Sequence, residues 1–401
     1  MDFYGYMRPN GKAGARNYVL LLPVNRSLNF IASNVERMTR NTRHFEIPAE
    51  TGRTEVDREV IARTLIGLMN NANVGGIVLL AVKSGAGSAY KNMCAERFEE
   101  EARKTGKPLR IVYLTNVGGS YNMLGETLRL TREVLLEVSD FRRENCPLSA
   151  LTLGVKCGTS DATSGIAGNP CVGAAFDQLI RAGGTAFFSE TTEIIGAEDL
   201  VAKRAVNESV AKKILSAARH WEDKAKSTGE DIRKINPIPA NIAAGISSLE
   251  EKSLGAIAKS GTSPIQDVLK YAEMPKGSGL YFVDSWMSSL SLPLCLTACG
   301  ATIMLYQMGG GKIAQHPMMP SINPTVVSPF LYLTGNAVAY SRAPDNFDFD
   351  ASSIMTEGAS IPEMGTKLLE HLSAIASGTM TKMETLNYAE QLELYMEGPV
   401  L

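Results

Sequence analysis

The apolar positions of this chain fall into two alternating rhythms. Short runs rich in Val, Ile, Leu and Tyr at 18–24, 76–82 and 109–115 have strand length, and most runs of this kind stop abruptly at Gly, Ser, Asn or Asp. Around them, 34–38, 57–70, 89–105 and 123–139 carry apolar residues at helical spacing. Strand and helix in alternation predict a parallel sheet with helices on both faces. At 141–147 charge and Pro147 interrupt the pattern, and a strand-like run at 150–155 restarts it. The expected architecture is α/β, with two domains of mainly parallel sheet flanked by helices: a Rossmann-like domain over 1–146 and a larger α/β domain over 147–401. In the second, 184–189, 279–283 and 301–306 read as strands, and 173–182, 197–225, 263–272 and 363–376 as helices. The polar, proline-bearing stretch 226–239 reads as a surface connection.

Length supports that division, because 401 residues exceed the roughly 250–300 at which single cores stop growing. A formal charge of −2 gives no electrostatic case for nucleic acid or an anionic membrane surface. The first residues lack the basic, apolar and small-residue segments of a secretory signal. The most apolar stretch, 280–306, is broken by Asp284, Pro293 and Gly300, so no membrane span and a cytoplasmic location are expected. Six cysteines without a CxxC pair argue against a disulfide or structural zinc framework.

Open parallel sheets bind ligands beyond the carboxyl ends of their strands, so the residues just after each strand are the ones to inspect. The run at 150–155 leads into Lys156-Cys157-Gly158-Thr159-Ser160-Asp161, followed by Thr163, Ser164 and Gly165. A thiol, hydroxyls and a carboxylate beside glycines suit a ligand loop, and equally a hydrogen-bonded turn into a helix. Glu190, Glu193 and Glu198 follow the next strand; such acids serve as oxygen ligands or as acid and base, and Glu198 also fits a helix N-terminus. Ser247 with Glu250 has capping-box spacing. Gly309-Gly310-Gly311-Lys312 lacks phosphate-loop spacing, and Gly85-Ala86-Gly87 lacks the third glycine of a dinucleotide fingerprint, which leaves a dehydrogenase only a weak alternative. His316 is the one histidine placed to approach a site. Cys295 and Cys299 fall at helical spacing in an apolar stretch, as buried small hydrophobes do.

Several of these segments carry a more specific signal together. The opening from Gly5-Tyr6-Met7-Arg8-Pro9-Asn10-Gly11 to Arg16-Asn17-Tyr18, the 156–161 loop with Ser164-Gly165 and Asn169-Pro170, and Ser189-Glu190-Thr191-Thr192-Glu193 with Gly196-Ala197-Glu198 resemble the altronate/galactarate dehydratase family. So do Glu250-Glu251-Lys252-Ser253-Leu254-Gly255 and Lys259-Ser260-Gly261-Thr262-Ser263-Pro264, in the same order and essentially from end to end. The resemblance implies a lyase that performs β-elimination on a small 2-hydroxycarboxylate. A proton leaves the carbon beside the carboxylate, a metal or fixed dipoles stabilise the enediolate, and the β-substituent departs. It also implies a divalent metal, Fe2+ first, with Mn2+ or Mg2+ as alternatives.

The chain departs from the sugar-acid dehydratases in its first half, where they carry a histidine-and-cysteine element and a further cysteine. Here those regions read Pro48-Ala49-Glu50-Thr51-Gly52-Arg53 and Val82-Lys83-Ser84-Gly85-Ala86-Gly87. The Thr51-Gly52-Arg53 turn, Arg63-Thr64-Leu65-Ile66-Gly67 and the loop at Lys156 look closer to the large subunits of sulfolactate sulfo-lyases, which expel sulfite. A sugar-acid hydro-lyase giving a 2-keto-3-deoxy acid is the first alternative, and a non-catalytic sugar-acid-binding subunit the second. Because the motif begins almost at Met1, a separate small subunit is expected to supply the N-terminal β-domain of fused members, within an oligomer. On this reading Cys157, Glu190, Glu193 and Lys252 are catalytic. Arg53, Lys83, Lys156, Ser160, Asp161 and Ser164 contact substrate, and Cys157, Asp161 and Glu190 hold the metal.

Overall fold

The computed structural model describes residues 1–83, 90–310, 323–386 and 393–399. The chain opens with a short antiparallel pair, β1 (Asp2–Met7) and β2 (Ala13–Gly14). Then β3 (Tyr18–Pro23), β4 (Thr42–His44), β5 (Val74–Ala81) and β6 (Leu109–Tyr113) form a parallel sheet in the order β4-β3-β5-β6. Every residue of β5 is buried, because helices cover both faces. Leu20, Leu22, Ile77 and Leu79 face the helices Glu55–Asn70 and Ala95–Lys104, while Val19, Leu21, Val78 and Leu80 face Asn29–Met38 and Ser120–Ser139. β7 (Glu144–Pro147) returns to pair with β1, setting Cys146 opposite Phe3. The stretch read as an interruption therefore contains a strand.

The second half builds a seven-stranded parallel sheet from β8 (Thr152–Gly158), β9 (Thr185–Phe188), β10 (Ile265–Leu269), β11 (Gly279–Val283), β12 (Ile303–Met308), β13 (Phe330–Thr334) and β14 (Phe349–Asp350). Their order is β10-β11-β9-β8-β12-β13-β14. Leu153, Val155, Leu305 and Leu333 pack against the helices Asn169–Arg181 and Ile361–Ala376. On the other face Met304, Tyr306, Phe330 and Tyr332 join the helix Leu292–Cys299. That helix also holds the halves together. A Cβ at Gly67 would stand 2.2 Å from the Ala298 carbonyl oxygen, so only glycine lets the helix Glu55–Asn70 approach it so closely.

Two expected helices come out differently. The segment 263–272 holds β10, an edge strand whose register with β11 shifts between Ile265 and Asp267. This bulge inserts one residue, so the apolar positions Ile265, Val268 and Leu269 follow helical spacing while lying in a strand. The segment 197–225 is two helices, Glu198–Ala202 and Glu208–Ser227, the second restarted by Asn207, whose side chain accepts from the Val210 N–H. The stretch 226–239 is more than a surface connection, because Asn236 accepts a 2.7 Å hydrogen bond from Lys252.

Candidate active site

The strand order reverses at β8: β9, β11 and β10 lie on one side, β12 to β14 on the other. Such a switch point opens the crevice in which doubly wound sheets bind ligands. Lys156 and Cys157 stand near the end of β8, and the Glu190 and Glu193 side chains converge on them from just beyond β9. Glu190 has φ of 75°, a left-handed backbone that costs a side-chain-bearing residue roughly 1–3 kcal/mol and recurs at functional sites. Lys259 enters from the short turn Ala258–Ser260. Gly173 lets that turn press onto the helix Asn169–Arg181, since a Cβ there would lie 2.2 Å from the Ala258 carbonyl oxygen.

The convergence is close. Glu190 Oε2 accepts from Lys259 Nζ at 2.5 Å and from the Cys157 N–H at 3.0 Å, while Lys156 Nζ lies 3.2 Å from Glu190 Oε1. Cys157 Sγ is 3.4 Å from Glu190 Oε2, 3.2 Å from Glu193 Oε2 and 3.0 Å from Lys259 Nζ. Lys259 Nζ also lies 3.5 Å from Glu193 Oε2, and Lys252 Nζ lies 3.6 Å from Glu193 Oε1. Cys157, Glu190 and Glu193 each offer a ligand atom, all within 4.8 Å of one another, so they form a group that could hold a metal ion. Thiolate and carboxylate donors suit a divalent transition metal.

All six side chains are buried, and the electrostatics follow from that. Burial, with Glu190 and Glu193 alongside, pushes the Cys157 thiol well above its ordinary pKa. Burial alone would raise Glu190 too, but Lys156 and Lys259 outweigh it and hold that carboxyl well below the usual range. Both lysines are held above the ordinary lysine value despite burial, Lys156 chiefly by Glu190 and Lys259 by Cys157, Glu190 and Glu193. Three ammonium groups, Lys156, Lys252 and Lys259, thus face two carboxylates. Lys252 also lines a cavity of about 260 Å³ with Ser160, Asp161, Ser164, Gly165 and Gly255, linking open space to the buried centre.

Comparison with known proteins gives the family of the chain. Residues 5–139 match the family model described as D-galactarate dehydratase/altronate hydrolase, second domain, and residues 148–399 match D-galactarate/altronate dehydratase, C-terminal. The chain belongs to the galactarate/altronate dehydratase family. It is 32% identical to the (2R)-sulfolactate sulfo-lyase subunit beta of Chromohalobacter salexigens, over 97% of this chain and 96% of that one. Altronate dehydratase of Bacillus subtilis is 29% identical over 100% of this chain and 78% of its own length. For galactarate dehydratase (L-threo-forming) of Escherichia coli the values are 29%, 99% and 77%. As a member of the dehydratase family the chain is a lyase.

Within this dehydratase-family chain the expected residues separate into groups. Cys157, Glu190, Glu193, Lys156 and Lys252 meet; Ser160, Asp161 and Ser164 line the adjoining cavity. Asp161 does not join the possible metal ligands, and Glu193 stands in the place expected for it. The reason is that both Asp161 oxygens are engaged. Oδ1 accepts from Thr163 Oγ1 and from the N–H and hydroxyl of Ser164, and Oδ2 from the Gly310 N–H at 2.5 Å and Asn336 Nδ2 at 2.9 Å. Asp161 therefore ties the loop after β8 to that after β12, the turn reading of this loop. Arg53 is not brought to the centre; it lines a different cleft of about 2260 Å³ with Arg26, Arg43, His44, Glu50 and Trp286. Lys83 is exposed just past the end of β5. Gly85, Gly87, Lys312 and His316 lie outside the described residues.

Two residues of the centre carry no assignment from the sequence. Lys259 lies within a segment that resembles the family, yet a lysine beside a serine and a glycine carries no sign that it is 1% exposed. Gln307 is the register partner of Cys157 on β12, fully buried, and neither atom of its amide has a hydrogen-bond partner among the described residues. Its only sequence signal was a polar residue closing an apolar strand.

Proposed function

We propose that this chain is the catalytic subunit of a lyase that removes sulfite from a small 2-hydroxycarboxylate bearing a sulfonate at its β-carbon. The observation that carries the reading is a buried centre with one more ammonium than carboxylate, reached through Lys252 from a cavity sized for a small acid. Its excess positive charge is complementary to a substrate carboxylate. Support for the sulfite-releasing branch comes from the 32% identity spanning 96% of a sulfo-lyase subunit beta.

In this mechanism Lys252 holds the substrate carboxylate and Glu193 removes the adjacent carbon-bound proton. Glu190, held well below the usual carboxylate range by Lys156 and Lys259, serves to fix those ammoniums. The released electron pair forms the carbon–carbon double bond as the carbon–sulfur bond breaks. Sulfite carries the other pair away, and the enol takes a proton at the β-carbon and gives up its hydroxyl proton to become a 2-oxo acid. The ammonium groups stabilise the negative charge that builds on the carboxylate during proton removal. Ser160 and Ser164 orient the substrate hydroxyl.

Family resemblance implies iron, and the donor types of Cys157, Glu190 and Glu193 match it. Their arrangement does not, because Lys259 Nζ already lies within 3.5 Å of all three donor atoms. Each step above therefore runs through side chains. A second reading, dehydration of a sugar acid, is favoured by the hydroxyl-bearing wall of Ser160 and Ser164, which suits a polyhydroxy chain. In either case a separate small subunit, within an oligomer, completes the enzyme. The test is an assay of the chain with its candidate small subunit, with and without iron, offered sulfolactate, altronate and galactarate in parallel. Sulfite release upholds the first reading and a 2-keto-3-deoxy acid the second. Ligand-induced thermal stabilisation without turnover would leave only binding. Glu193→Gln and Lys252→Met are each expected to lower turnover at least about 100-fold in a folded protein.

A further inference from the structure

A metal site needs donor lone pairs that are free to turn toward an ion, at bond lengths of roughly 2.0–2.3 Å for oxygen and sulfur. At this centre one nitrogen has already claimed them. Lys259 Nζ is 3.0 Å from Cys157 Sγ, 2.5 Å from Glu190 Oε2 and 3.5 Å from Glu193 Oε2, the three residues whose atoms would bind an ion. The outward oxygens are also faced by cations, Glu190 Oε1 by Lys156 and Glu193 Oε1 by Lys252.

The lysine is enclosed. Its side chain is 2% exposed, and the backbone on either side is pinned. Gly173 seats the Ala258–Ser260 turn against a helix, and Asp177 accepts from the N–H groups and hydroxyls of Thr262 and Ser263. A dication added here would enter a buried group in which ammoniums already outnumber carboxylates.

We propose that Lys259 is the resident cation of the Cys157–Glu190–Glu193 centre, occupying the seat that a divalent metal would take and keeping this centre free of metal. A metal that turnover requires would then be held elsewhere in the assembled enzyme. The inference goes beyond the lyase reading and does not depend on it, because occupancy is read without substrate.

The experiment titrates Co2+ anaerobically into the wild-type chain, Cys157→Ser, Lys259→Met and the double variant Lys259→Met/Cys157→Ser. Thiolate-to-cobalt charge-transfer absorption and elemental analysis after gel filtration are the readouts. Wild type is expected to show no such band and to retain no cobalt. Lys259→Met keeps the length of the side chain without its charge and is expected to retain one equivalent, with a band that the added Cys157→Ser change removes. A wild-type band that Cys157→Ser abolishes overturns the proposal, and so does a folded Lys259→Met that binds no cobalt. Metal retained by wild type and lost in Lys259→Met would make the lysine a ligand, which also overturns it. Should Lys259→Met fail to fold, the wild-type titration decides alone: cobalt at Cys157 refutes the proposal and its absence upholds it. Failure of turnover with every substrate would count against the lyase reading and leave this result untouched.

Discussion

Two carboxylates can be buried only with cations beside them, and Glu190 has two, Lys156 and Lys259. Glu190→Gln leaves both ammoniums short of charge and should cost about 3–5 kcal/mol at neutral pH, measured by urea unfolding. The effect has a pH sign. Because the folded pKa lies below the unfolded one, Glu190 adds stability above the ordinary carboxylate range and loses it as pH falls toward about 2. The gap between wild type and Glu190→Gln should therefore shrink over that interval, and a gap independent of pH would contradict the ion-pair account. The raised lysines act at the other end, contributing fully below the ordinary lysine pKa and fading only as pH climbs through their folded values. Gln307 gives the opposite mutational sign. With neither amide atom paired among the described residues, Gln307→Leu should raise stability by about 1 kcal/mol. A loss of stability on denaturant titration would mean that the amide already has a partner worth keeping.

At the level of elements, Asp177 controls where the helix Asn169–Arg181 meets the segment leading into β10. Asp177→Ala strands two backbone N–H groups and should cost about 2–4 kcal/mol, with the unfolding midpoint as the check. This neighbourhood also shows what a sequence can and cannot disclose. The strands 279–283 and 301–306 were legible because apolar runs bounded by turn residues have strand length, and β11 and β12 lie there within two residues. The edge strand β10 was not, because its bulge mimics helical spacing, and β13 passed unread between polar segments. Cys157, Glu190 and Glu193 could be picked out because they lie at or just beyond the ends of strands, where the chain must turn. Lys259 could not, because its burial depends on how closely a glycine lets two segments approach, a distance that no local pattern encodes. That Asp161 stands outside the possible metal ligands was equally hidden: an acid in a polar loop looks the same whether it faces an ion or its own backbone.

Across the whole molecule, the two sheets are joined where Gly67 meets Ala298, and where Asn71 donates to the Thr297 and Ala301 carbonyls and Asn73 to that of Thr302. Gly67→Val forces these helices apart and should cost about 2–3 kcal/mol. Calorimetry should show a single transition in wild type and a broadened or divided one in the variant; two transitions in wild type would show the halves to be independent. The same helix is held at its far end, where Asp57 accepts from the N–H groups of Glu397 and Gly398. Fixed at both ends, Glu55–Asn70 acts as a strut, so neither half can swing about the other as a hinged jaw. Access to the chemistry must then be governed by rim loops rather than by rigid-body rocking, and small-angle scattering should give the same radius of gyration with and without a bound acid.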